Sequence, residues 1–177
     1  MTVSGLGAES YSKTMPERGL GDLILNARND IRLLTELNGE PVSHFRLREF
    51  ENRDGLTMVH GSVLDSLERV RRDLSAMADE EVWVIVTDGV RTQADLERLA
   101  ARIGWIDEGG AVSRNSRHLA KFGGIAVDVT ARVASTRDRV PQSTLGEICR
   151  RHFDWVKDDY ADGHVHADNR ARSTMTG

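Results

Sequence analysis

Cysteine is almost absent from this chain: Cys149 is the single one in 177 residues. One thiol excludes an intramolecular disulfide framework and any zinc site built from several thiolates. Its place within an apolar helical pattern is that of a buried, inert thiol rather than a nucleophile. Long apolar runs are also missing, and no stretch approaches the roughly 20 residues of a helical membrane span. There is no surplus of positive charge. The 24 Lys and Arg are set against 28 Asp and Glu, for a net charge of -4, and the two signs are interspersed. A nucleic-acid partner is therefore not expected. Aromatic residues make up only 5% of the chain. No internal repeat or low-complexity block is visible. The first residues lack a charged segment followed by an apolar run, so the expectation is synthesis in the cytoplasm without a signal peptide.

The chain is long enough for one domain with a sizeable core. Residues 1 to about 19 read as a Ser-, Gly- and Thr-rich tail or interaction arm. Leu20, Leu23, Ile24, Ala27, Ile31 and Leu34 then fall on one stripe and predict a helix over about 20–37. It either packs on the back of the domain or serves as a docking helix for a partner or another copy. The division expected is thus an extension over 1–37 and a domain over 38–177. Val63, Leu67, Val70, Leu74 and Met77 repeat at helical spacing over 62–78, with Ser62 as N-cap. Val82 to Thr87 is a continuous apolar run, expected to be a central strand, ending at the turn Asp88-Gly89. Thr92 is expected to cap a helix reaching Ile103, with Leu96, Leu99, Ala100 and Ile103 inward. Pro141 precedes a helix over about 142–152, and 153–157 reads as a strand. His44, His60 and His152 are read as structural, exposed or locally paired.

Two stretches carry the chemistry. The first runs from Ser116 through His118 to Asp128, the second from Asp162 through His164 and His166 to Asp168. Gly124 to Thr130 alternates like a strand: Ile125, Val127 and Val129 make an apolar face, and Asp128 is the one charge among the small residues of the other. His164, His166 and Asp168 share one face of a second extended segment. Two imidazoles and a carboxylate bind zinc tetrahedrally and leave the fourth position to water, which is the pattern of a catalytic rather than a structural site. Spacing alone does not choose between His164 and His166 as the ligand.

Ser116-x-His118 followed by Gly124-x-Ala126-x-Asp128, and then a late His-x-His, resembles the peptidase M15 family. Its members are zinc D-Ala-D-Ala carboxypeptidases and related peptidoglycan peptidases, phage endolysins among them. Phe45-Arg46-Leu47-Arg48-Glu49-Phe50, then Asp54-Gly55, then Val59-His60, is similar to the family's opening segment. Val86-Thr87-Asp88-Gly89-Val90-Arg91-Thr92 is similar to its strand-turn-Arg motif. In order, these motifs cover roughly residues 44 to 170.

The resemblance implies an α+β fold of the hedgehog-like zinc peptidase type, with a small antiparallel sheet carrying the metal site and helices on its other face. It implies Zn2+ held by His118, Asp128 and His166. Arg91 would hold a substrate carboxylate or carbonyl, and Ser116 would be a turn or substrate-side residue. His164 would act beside the metal as proton donor or oxyanion stabiliser, while the general base is left among Asp162, His164 and Asp168. The implied activity is hydrolysis of peptidoglycan stem peptides, as a carboxypeptidase or an endopeptidase, at the cell wall after release or from a phage particle. The alternative is a structural or docking component of such a particle, with self-association or virion docking through residues 20–37. Two departures from the family pattern stand out. Gly163 occupies the place where several branches carry an acid, and ten residues rather than seven separate His118 from Asp128.

Overall fold

The computed structural model of the chain describes the backbone of Ile24–Leu25 and residues 43–172. The fold is α+β, with three α-helices and a four-stranded antiparallel sheet among the described residues. In chain order the elements are β1 (Ile24–Leu25), β2 (Val59–His60), α1 (Gly61–Ala78), β3 (Val82–Asp88), α2 (Gln93–Ile103), β4 (Ala126–Val133), α3 (Gln142–Arg150), β5 (Trp155–Lys157) and β6 (Val165–Asp168). The sheet order is β3-β4-β6-β5, and β1 pairs with β2 in a separate two-stranded ribbon.

Alternation decides which way each strand faces. Val82 and Val84 of β3, Val127, Val129 and Ala131 of β4, and Val165 and Ala167 of β6 all enter one buried cluster. Against them lie Val63, Leu64, Leu67, Val70 and Leu74 of α1 and Leu145, Ile148 and Cys149 of α3. Residues one position away on each strand necessarily point to the opposite face of the sheet, where no helix packs into that cluster. A second, smaller cluster joins Leu96 and Ala100 of α2 to Leu119, Phe122 and Ile125. That cluster clamps the long connector between His118 and β4 onto the body of the domain.

The connector owes its path to two glycines. A 3-10 turn over Ala120–Phe122 is followed by Gly123 and Gly124 at φ 80° and 74°. A Cβ on Gly124 would stand 2.8 Å from the Met58 carbonyl oxygen and the Val59 Cα, so the β2 backbone passes where a side chain would be. The ten-residue interval from His118 to Asp128 runs through this turn.

Four expectations change. Ile24 and Leu25 do not continue a helix; they are extended and pair with His60 and Val59, while the rest of the predicted helix, the 1–19 tail and the 38–41 turn lie outside the described residues. β3 is an edge strand rather than a central one. Its unbroken apolar run misleads because Trp83 and Ile85 are apolar yet sit on the open face, with Ile85 37% exposed. Ile103, at the last turn of α2, is exposed rather than inward. Finally, α1 begins at Gly61, and its N-cap is His60, whose Nδ1 accepts from the Ser62 backbone N–H. Thr92 does cap α2, in a reciprocal box with Asp95.

Candidate metal centre

Antiparallel pairing sets Asp128 of β4 opposite His166 of β6, so both side chains leave the same face of the sheet next to one another. His118 arrives from the connector. Its approach is fixed by the strand-turn-Arg segment: the Arg91 backbone N–H donates to the His118 carbonyl at 2.7 Å, and the Ala120 N–H donates to the Arg91 carbonyl at 2.9 Å. Two motifs separated in sequence are thereby laced together directly beneath the site.

His118, Asp128 and His166 are all buried and can hold a metal ion. His118 Nε2 lies 2.9 Å from His166 Nδ1 and 3.1 Å from Asp128 Oδ1, and His166 Nδ1 lies 2.9 Å from the same oxygen. What the other ring nitrogens do is decisive. His118 Nδ1 is 2.6 Å from the Gly89 carbonyl oxygen. A carbonyl only accepts, so Nδ1 carries a proton, and Nε2 is the nitrogen left to face the cluster and to present a lone pair to a metal. His166 Nε2 is 3.2 Å from Asp168 Oδ2. Asp168 is fully buried, and burial opposes its charge. The bonds from Arg170 and His166 nonetheless hold its carboxyl below the usual range, so it too accepts. His166 Nδ1 is then the nitrogen that faces the cluster, and in the neutral ring it is the lone pair. Asp128 is ionised, because His118 and His166 outweigh the burial that would neutralise it.

With both rings neutral, the three atoms converge as acceptors with no proton between them. That arrangement is repulsive unless a cation occupies it. The charge and N–H donation by which His118 and His166 hold Asp128 down belong to the ion-free cluster, in which a proton takes that place. The neighbours raise the pKa of His166 against its burial, so a proton is the competing occupant. Tetrahedral coordination at zinc–ligand bonds of 2.0–2.1 Å separates donor atoms by about 3.3 Å. The separations of 2.9–3.1 Å lie just inside that, and the donor set fits a small divalent ion.

The other anticipated residues fall around this cluster. Arg91 donates from Nε and Nη2 to Asp88 and from Nη2 to Asp128 Oδ2 at 3.1 Å. His164 is placed with Nε2 3.9 Å from Asp128 Oδ2, while its Nδ1 is 2.6 Å from Asp162 Oδ1. Asp162 is itself exposed. Ser116 sits in a turn: its N–H donates to the Ser113 carbonyl, and its own carbonyl accepts from Leu119. Asp168 has no solvent access, and its oxygens are taken by His166 and Arg170. Gly163 is at φ 78° with the Arg139 guanidinium where a Cβ would be, so an acidic side chain at this position would be strained and crowded.

Three participants were not anticipated, and a fourth, Trp155, was expected near the site from the sequence. The Gly89 carbonyl orients His118, and a backbone atom in a turn leaves no trace in residue type. Arg170 anchors Asp168, and its spacing two residues after an aspartate was the only signal. Trp155, in the segment read as a strand, does pack there, meeting His166 edge-on at 5.3 Å. Tyr160 stacks on His164 with ring centroids 4.0 Å apart, and burial, with the charge of Asp128 adding to it, pushes its phenol up to about 12. It remains a hydroxyl donor at neutral pH.

No family model matches the chain, and no curated protein matches it. The likeness to zinc peptidases rests on the quoted motifs.

Proposed function

We propose that the chain is a zinc metallopeptidase that hydrolyses peptide bonds in peptidoglycan stem peptides. The observation that carries this reading is the convergence of three potential ligand atoms from His118, Asp128 and His166, each fixed from behind by a second partner. Three protein ligands leave one position open, which suits catalysis rather than structure. The two nitrogen donors and one oxygen favour zinc over calcium or magnesium, which prefer oxygen sets.

Zinc held there supplies a water of lowered pKa and polarises the scissile carbonyl. The protein's own residues divide the remaining work. Arg91, partly engaged by Asp88 and Asp128, offers a guanidinium fork to a substrate carbonyl or carboxylate. His164 faces the cluster, with Asp162 holding its Nδ1. That dyad is the best placed to take a proton from water and return it to the leaving amine. Asp168 belongs to this scheme only as the residue that orients His166, since it has no free face. Tyr160 keeps its hydroxyl proton and supports the His164 ring.

The test is metal content by elemental analysis of wild type and His118→Ala, followed by peptide release from purified peptidoglycan. Near-stoichiometric zinc in the wild type, its loss in the variant, and release by the wild type alone are expected. Wild type that takes up no zinc when it is offered would refute the reading.

A further inference from the structure

The metal face of the sheet extends beyond the metal. Along β4 the residues after Asp128 on that face are Thr130 and Arg132, and the register sets them opposite Ile85 and Trp83 of β3. Ile85 is 37% exposed, and Trp83 and Thr130 are half-buried. This shelf is rimmed by three exposed arginines from one short stretch: Arg132, Arg137 and Arg139. Arg137 places its guanidinium carbon 4.0 Å from the Trp83 ring centroid. Arg132 donates to the Arg137 carbonyl, and Arg139 donates to the Asp162 carbonyl beside the turn that carries His164.

Among the described residues none of the three forms an ion pair; seven other arginines, Arg71, Arg91, Arg98, Arg114, Arg150, Arg151 and Arg170, have a carboxylate partner and the rest do not, so what marks these three is their grouping on the metal face of the sheet. Asp138 lies between two of them in sequence and pairs with neither; Asp162 gives its carboxylate to His164. A further observation comes from the backbone. Arg137 sits at φ 68°, where glycine is at ease and an L side chain is strained, yet the position holds a cation over the Trp83 ring.

We propose that this shelf is a subsite for a carboxylate on the peptide substrate, and the proposal rests on the peptidase reading above. The partner is fixed by chemistry: an apolar floor with unpaired guanidinium groups fits an extended peptide whose acidic group meets the arginines. Its reach follows from strand geometry. Thr130 and Arg132 stand two and four residues beyond Asp128, or roughly 7 and 14 Å at about 3.4 Å per residue. An extended peptide covers that span in about two to four residues. The recognised carboxylate is thus two to four residues from the bond that is cleaved.

The test uses the zinc-loaded full chain and two fluorescein-labelled pentapeptides ending in D-Ala-D-Ala. They differ only in whether a glutamate three residues before the terminal bond is free or amidated. Binding is read by anisotropy with an uncleavable reduced terminal bond, and hydrolysis with the natural one. The acidic peptide is expected to bind about tenfold tighter at low salt. Arg132→Gln with Arg137→Gly should bring the two within twofold while leaving the amidated peptide unaffected. Arg137→Gly alone relieves the left-handed backbone, so it should fold at least as well and still lose part of the preference. Equal binding by wild type, or a preference that survives the double variant, overturns the proposal. Hydrolysis without acidic preference would overturn the shelf and leave the peptidase reading standing. Acidic preference without hydrolysis of either peptide would do the reverse.

Discussion

Asp168→Asn changes one atom of a buried residue that touches no water, and should still cripple metal binding. Asp168 Oδ1 accepts from the Arg170 backbone N–H and Nε–H, while Oδ2 accepts from Arg170 Nη2 and His166 Nε2. Four donors are thus shared between two carboxylate oxygens. Asparagine offers one oxygen and one amide donor. Its oxygen is best used facing the two Arg170 donors on the Oδ1 side, which turns the amide N–H2 toward His166. Nε2 must then accept, and the ring proton moves to Nδ1, the atom aimed at His118 and Asp128. The lone pair needed for the metal is lost unless the tautomer is forced back. Disrupting such an outer partner typically costs 10–100-fold in metal affinity, or about 1.4–2.7 kcal/mol. The charged bonds from Arg170 add less to stability, because that side chain is 38% exposed and screened by solvent. Zinc affinity is read by competition with a chromogenic chelator, and the tautomer by long-range nitrogen–proton correlation of the imidazoles. Unchanged affinity together with a retained Nε2–H in Asp168→Asn would refute the argument that this carboxylate sets the His166 tautomer.

Further expectations follow from the same structure. Gly124→Ala must combine a left-handed backbone with a Cβ 2.8 Å from β2 backbone atoms, so a loss of more than about 2 kcal/mol is expected in urea unfolding. Burial pushes the Cys149 thiol up to about 12, so it should resist alkylation at pH 8 in the folded protein and react once unfolded. Burial of Glu68 would raise its pKa, but the bond from the His44 backbone, then Ser43, then the charge of His44 and the bond from Arg71 outweigh it and leave it lowered. A depressed folded value means that its stabilisation is complete above the unfolded value of 4.5 and is lost as pH falls below it. Glu68→Gln should therefore be less stable than wild type at neutral pH and show a shallower decline in denaturation midpoint on acidification.

Whatever depended on period and turn chemistry was legible in the residues. The faces of α1 and α3, the capping of α2 by Thr92 and the alternation that puts Asp128 opposite the core side of β4 are local properties, and local spacing encodes them. The two half-sites were visible for the same reason. The edge position of β3 was not visible, because an apolar residue reads alike whether it faces a helix or lies beneath an arginine, as Trp83 does. Nor was the outward turn of Ile103, since periodicity marks a face but not where its cover ends.

The sequence by itself determined which side chains can bind a cation and that they occur on two strand-like segments and a loop. Only the tertiary structure decided that they meet, and which nitrogen of each ring faces the cluster. A histidine's free nitrogen is set by what its other nitrogen touches. Those partners, the Gly89 carbonyl 29 residues from His118 and a buried Asp168 anchored by Arg170, exist only once distant segments have packed.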